Sequence, residues 1–328
     1  LNKRNYALDI LKVIALMAIM LAHVSPSGFI FQLRNFDVPL MIMISVWLSL
    51  RTIKSEKFKY SKYIYSRAKR LIVPTWIFLT IYFFICYFKG EIISIQDIVM
   101  SYTMIDGIGY VWVIRIYIYV AIITPVIYKA YEKLEKWQLI SLFGMIYCLY
   151  MLLIDKVDLL NGMTKLLITA TIVDFIGYSF IVLIAIIIFN LEKKDVYKLG
   201  CLFGLIFFLL AVKNGFIQTQ YFKYPLRLYY LSYAFLVSIF LYLFVDKLNQ
   251  NNKLIHFKII DFISKNSMWI YLWHILYIQN VNKLFLNSNL GYIYRFLLLL
   301  LLALATTYIQ NFAKRTFNNL LNMYYKRK

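Results

Sequence analysis

Residues 166–189 read LLITATIVDFIGYSFIVLIAIIIF, a run of apolar side chains broken by one ionisable group, Asp174. At 1.5 Å rise per residue such a run makes a helix of about 36 Å, enough to cross some 30 Å of hydrocarbon. A transmembrane strand would instead alternate polar and apolar residues over about ten positions, which this stretch does not do. Blocks of the same character recur at 7–25, 36–50, 71–88, 110–128, 137–154, 197–212, 227–245, 262–284 and 292–312. The expected fold is therefore an all-α polytopic membrane protein with about ten transmembrane helices. Two blocks are weaker than the rest: 36–50 is short and carries Pro39 near its start, and 197–212 barely reaches spanning length.

Composition excludes the water-soluble alternative, because 62% of the residues are hydrophobic and only 16% are charged. A net charge of +21 raises the question of nucleic acid. The Lys and Arg residues lie between apolar blocks rather than in a compact basic module, so no nucleic-acid partner is expected. Membrane lipids, whose headgroups are often anionic, are the natural counterpart. With the N-terminus inside, Lys3, Arg4, the stretches Arg51 to Arg70, Lys129 to Lys136, Lys193 to Lys198 and Lys253 to Lys265, and the tail Lys314 to Lys328 all face the cytoplasm. The longest opposite loop, 89–109, carries Glu91, Asp97 and Asp106 against one Lys89. An even number of spans keeps both termini cytoplasmic.

The first apolar block follows Lys3 and Arg4 as a secretory signal would. It ends in His23-Val-Ser-Pro-Ser-Gly28 without a small-x-small cleavage site, so a retained first helix is expected. Cys86, Cys148 and Cys201 all fall in apolar blocks without metal-ligand spacing and read as small buried hydrophobes. No internal repeat or linker stands out, and residues 1–328 are expected to form a single transmembrane domain with no separate soluble domain.

An ionisable group inside a bilayer costs several kcal/mol unless it has a partner, a wet cavity or a task. The first helix carries Asp9 and Lys12 near its inner end and His23 near its outer end. Lys12 alone reads as a side chain snorkelling to the interface, and His23 alone as an interfacial histidine. Taken together they sit roughly 16 Å apart along the axis, a cation low and an imidazole high, placed to hold the two ends of a long molecule. Imidazole is also the side chain best suited to taking a proton near neutral pH. Arg67 and Arg70, at i and i+3, share a helical face where two guanidinium groups can chelate phosphate, although an arginine-rich loop also serves topology. Arg115 and Asp174 lie in the outer half of their spans, where a structural ion pair and a substrate role are both open. Ser267, Tyr271 and His274 share one face of the ninth span while Trp269 and Trp273 point elsewhere; core packing explains such a face too.

These residues carry a resemblance to a known family. The segment from Leu8-Asp9 through Lys12 to Ala22-His23, with ten residues between the basic residue and the histidine, resembles the first helix of the membrane-bound acyltransferase 3 family. Arg67-x-x-Arg70 resembles its paired-arginine motif, Val38-Pro39-Leu40 with Ile44-Ser45 its second helix, and Ser267-Met-Trp-Ile-Tyr271-Leu-Trp-His274 its late histidine segment. Val46-Trp47 stands where the family commonly has glycine and phenylalanine, and Val13 replaces a frequent glycine, departures that bear on pocket shape. The resemblance implies transfer of an acetyl group from cytoplasmic acetyl-CoA, the acyl donor, to a hydroxyl of an extracytoplasmic or lipid-linked carbohydrate acceptor in the bacterial cytoplasmic membrane. On that reading His23 is the general base. Lys12, Arg67 and Arg70 hold the donor's phosphates, and Asp9, Arg115, Asp174, Tyr271 and His274 support the site. No metal is implied, because His23, His256 and His274 form no ligand cluster in the sequence. No nucleophile stands beside a base and an orienting acid at recognisable spacing, which favours direct transfer over an acyl-enzyme. A transporter or flippase of a glycan intermediate is the alternative, and would use the same charges as a path; a purely structural subunit is a third. A homodimer is left open.

Overall fold

The computed structural model describes residues 5–251, 254–285 and 291–326. Lys3, Arg4, Lys253 and Lys328, which entered the topology reading, lie outside the described residues. Within them the chain runs through helices α1 (Tyr6–Ala22), α2 (Gly28–Leu33), α3 (Asp37–Ile53), α4 (Tyr60–Phe88), α5 (Ile95–Tyr102), α6 (Trp112–Lys133), α7 (Lys136–Val157), α8 (Gly162–Ile168), α9 (Asp174–Asn190), α10 (Lys193–Lys213), α11 (Leu228–Gln250), α12 (Lys258–Asn282) and α13 (Gly291–Lys326). No strand occurs among the described residues.

Among the described residues eight stretches are long and apolar enough to cross a membrane. One of them joins α2 to α3, and another joins α8 to α9 through a π-helical turn at Thr169–Val173. The expected spans 7–25 and 262–284 are helices, α1 and α12, but fall short as spans for different reasons. α1 has 17 residues, and α12 carries Lys258, Asp261, Lys265 and Asn266 in its opening turns. α1 is thus excluded by length alone, whereas in α12 the polar opening turns lower the apolar signal.

The segments sort into two layers. α3, α6, α9 and α11 bury more than half of their apolar stretch, whereas α4, α7, α10 and α13 bury less than a quarter and turn Leu, Ile and Phe outward. Helices of the second kind are what a lipid-facing rim requires, since hydrocarbon is as good a neighbour for leucine as another helix. α1 lies against α3 and α12, with α11 and α13 also in contact; α3 continues onto α6 and α9, α10 packs on α11, and α12 on α13.

Several boundaries differ from the sequence reading. α4 begins at Tyr60 rather than 71, because the stretch 60–70 holds neither Gly nor Pro and its charges do not stop a helix. Arg67 and Arg70 consequently lie inside α4, upstream of Pro74, whose ring removes the helical hydrogen bond to the Arg70 carbonyl. Pro39 sits in the first turn of α3, where proline is tolerated. Cys86 is buried as expected, but Cys148 and Cys201 are exposed on the outer helices α7 and α10. An apolar block on the rim buries only one face, which composition alone does not reveal.

Candidate active site

α1 opens with Asn5, whose side chain accepts a hydrogen bond from the Leu8 amide at 3.3 Å. Leu8, Leu11, Ala15, Leu16 and Ile19 are buried, and the helix is joined to α12 at both ends. At the N-terminal end of α1 the Ser264 hydroxyl donates to Asp9 Oδ1 at 2.5 Å, and Lys12 Nζ donates to the Ser264 carbonyl at 2.9 Å. At the C-terminal end His23 caps α1, and its Nδ1 lies 2.9 Å from Nε2 of His274. The two imidazoles are nearly parallel, at an interplanar angle of 14°. His274 is fully buried, and its Nδ1 meets the carbonyl of Tyr271 one turn earlier. Asn282 Nδ2 donates to the His23 carbonyl at 2.8 Å, closing the helix end against α12.

Tyr271 ties this pair to the loop before α6, its hydroxyl donating to the Tyr110 carbonyl at 2.6 Å. The Tyr110 ring stands edge-on to His23, with centroids 4.9 Å apart, and burial pushes its phenol pKa up. The opposite face of α12 does different work: Trp269 and Trp273 stack on each other, and Trp273 Nε1 donates to Gln310 of α13 at 2.8 Å. The division of α12 into a Ser267–Tyr271–His274 face and a tryptophan face is as the sequence spacing requires.

Lys12, Arg67 and Arg70 line one cavity of about 220 Å³ together with Ser45, Ser267, Tyr117 and Tyr271. Arg67 and Arg70 also line a neighbouring cavity of about 320 Å³, where Lys57, Lys59 and Lys62 join them. Neither His23 nor His274 lines the first cavity; Tyr271 does, and the histidine pair stands directly behind it through the Tyr271 carbonyl. Six cations thus converge on two cavities that share a wall. Such a donor set can hold a polyanion, and the first cavity adds a mostly apolar lining.

Arg115 and Asp174 pair with each other at 2.7 Å, and both side chains are largely buried. Arg115 Nη1 also donates to the carbonyls of Met104 at 2.7 Å and Ile105 at 2.8 Å, so this guanidinium fastens the 103–111 loop that carries Tyr110. Of the two roles left open by the sequence, the structure has the ion pair.

One buried charge cluster escaped the sequence reading. Asp37, in the first turn of α3, accepts from Arg34 Nη1 at 2.7 Å and from Lys223 Nζ at 3.3 Å. The Val38 amide donates to the same carboxylate at 2.7 Å. Arg34, Asp37 and Lys223 are all at most 5% exposed. Burial pulls the Lys223 ammonium below the usual lysine range, and Asp37 opposes that shift. Arg34 and Asp37 could have been paired from their i, i+3 spacing, but nothing in the sequence announces Lys223 as the third member. Lys57, Lys59 and Lys62 read in the sequence as part of a topological run, because a charge count has no direction until the turn after α3 and the first turn of α4 bring those side chains to one cavity.

Among the described residues no group of three or more His, Cys, Asp or Glu side chains is placed to hold a metal ion. A family model described as an acyltransferase domain, of the acyltransferase 3 type, matches residues 5–310. Comparison with curated proteins and with solved structures found no match.

Proposed function

The chain belongs to the acyltransferase 3 family and is a multi-pass membrane acyltransferase, and from that premise we propose that it moves an acetyl group from acetyl-CoA to a hydroxyl of an extracytoplasmic or lipid-linked carbohydrate. What supports the reading is the division of labour along α1 and α12: cations on two cavities at one end, and at the other an imidazole pair of which His274 is buried and His23 half-buried. Lys12, Arg67 and Arg70, with Lys57, Lys59 and Lys62 beside them, hold the donor's phosphates by charge-assisted hydrogen bonds. The thioester arm passes along the apolar cavity toward Tyr271, and a dry passage there limits hydrolysis of the thioester.

In the reaction the acceptor oxygen attacks the thioester carbonyl while His23 removes its proton. The tetrahedral intermediate collapses with cleavage of the C–S bond, and the departing thiolate takes that proton back. The products are an O-acetyl ester and free CoA thiol, with no net proton change and no metal required. Arg115 and Asp174 hold the loop that carries Tyr110, and Asp9 orients Ser264 beneath Lys12. In this account the chain is one transmembrane unit of ten helices in the bacterial cytoplasmic membrane, α1 and α12 included, with both termini in the cytoplasm.

Mass spectrometry of surface glycans from cells with and without the gene tests the proposal. Acetylation present with the wild-type gene and lost with His23→Ala is the expected result. Unchanged acetylation together with loss of glycan export would favour a flippase in its place.

A further inference from the structure

The hydrogen-bond chain behind His23 bears on something that the assignment of a base leaves open: which nitrogen acts. A carbonyl oxygen only accepts, so the His274 Nδ1 that meets the Tyr271 carbonyl must carry a proton. A neutral imidazole has a single N–H, which makes His274 Nε2 an acceptor. His23 Nδ1 lies 2.9 Å from that acceptor and must therefore donate to it. The lone pair of His23 is left on Nε2, the nitrogen not engaged by His274.

We propose that His274 is a positioning residue: anchored by the Tyr271 carbonyl, it holds His23 as the Nδ1–H tautomer and so presents Nε2 as the base. The inference rests on the reading of His23 given above and extends it to the tautomer. Free imidazole side chains in water favour the opposite form, so the protein has to impose this one, and a partner on the second nitrogen is how proteins do so. His274 is fully buried, and the half-buried His23 ring lies nearly parallel to it while its carbonyl is held by Asn282. When Nε2 takes the acceptor's proton, His23 becomes a cation whose Nδ1–H still donates to His274, now as a charge-assisted and stronger bond. The pair therefore stabilises the protonated state that the transition state approaches, without His274 touching the substrate.

The chain has three histidines, His23, His256 and His274, which makes the tautomer measurable. The full-length protein labelled with 15N-histidine is placed in detergent micelles, and long-range proton–nitrogen correlations are recorded, with His256→Gln and His274→Phe used for assignment. The expected spectrum of the wild type has His23 protonated on Nδ1 and bare on Nε2. In His274→Phe the proton moves to Nε2, kcat falls by about a hundredfold, and KM for the donor is unchanged. His274→Gln offers an acceptor to His23 and a donor to Tyr271, so it keeps the Nδ1–H form and recovers most of kcat. A wild-type His23 protonated on Nε2, or a tautomer that His274→Phe leaves as it was, overturns the proposal. The spectrum needs no turnover, so a protein that shows the expected tautomer but transfers no acyl group would refute the acyl-transfer reading and support this one.

Discussion

Replacing Asp37 by asparagine keeps the volume and shape of the side chain and removes one charge from the middle of three. The carboxylate sits 2.7 Å from Arg34 and 3.3 Å from Lys223. At an effective dielectric constant of about 20, each contact represents roughly 5–6 kcal/mol of Coulomb attraction. Desolvation of three buried charges offsets most of that, and what breaking such a pair costs is about 3–5 kcal/mol, because two cations are left facing each other without a counter-charge. Thiol labelling supplies the assay, since Cys86 is buried while Cys148 and Cys201 are exposed. In a Cys148→Ser, Cys201→Ser background, a thiol-reactive dye reads unfolding through Cys86 alone. Asp37→Asn should label at a markedly lower temperature than the parent. Adding Lys223→Met to Asp37→Asn should recover part of the loss, because it removes one of the two opposed cations. Equal labelling curves for parent and Asp37→Asn, or a double variant whose loss is the sum of the two singles, would refute the reasoning.

Arg67→Met combined with Arg70→Met should raise KM for the acyl donor by about tenfold to a hundredfold with little change in kcat, and should flatten its dependence on salt; steady-state kinetics across ionic strength check both. Arg115→Met should destabilise more than Asp174→Asn in the same labelling assay, since it strands a buried carboxylate and frees the Met104 and Ile105 carbonyls as well. Gly107 has φ +89°, and a Cβ there would lie 2.0 Å from Ser101 Oγ and 2.5 Å from the Asp97 carbonyl. Gly107→Ala should therefore break the turn that Ser101 ties to the Ile108 amide, costing on the order of 1–3 kcal/mol and lowering activity through the displaced Tyr110.

The fold was legible because the bilayer imposes a length and a polarity that a run such as 166–189 cannot conceal. The motif residues were legible for the opposite reason: Lys12, His23 and His274 stand out against apolar surroundings that give them no ordinary excuse. What the sequence withheld was pairing. The contact between His23 and His274 spans 251 positions and depends on how α1 lies on α12, which no local spacing records. Lys223 is 186 positions from Asp37, and it is found only once the loop before α11 folds back onto α3. The start of α4 was misplaced because hydropathy marks where hydrocarbon begins, whereas a helix goes on as long as its backbone allows.

On the proposed reading His23 takes the acceptor's proton while the donor is held elsewhere. Purified protein in proteoliposomes, supplied with radiolabelled acetyl-CoA and an acceptor glycan, separates those two tasks. The account predicts that His23→Ala binds the donor with wild-type affinity and transfers its acetyl group at least about a hundredfold more slowly. Transfer at the wild-type rate, or loss of donor binding in that variant, would contradict it.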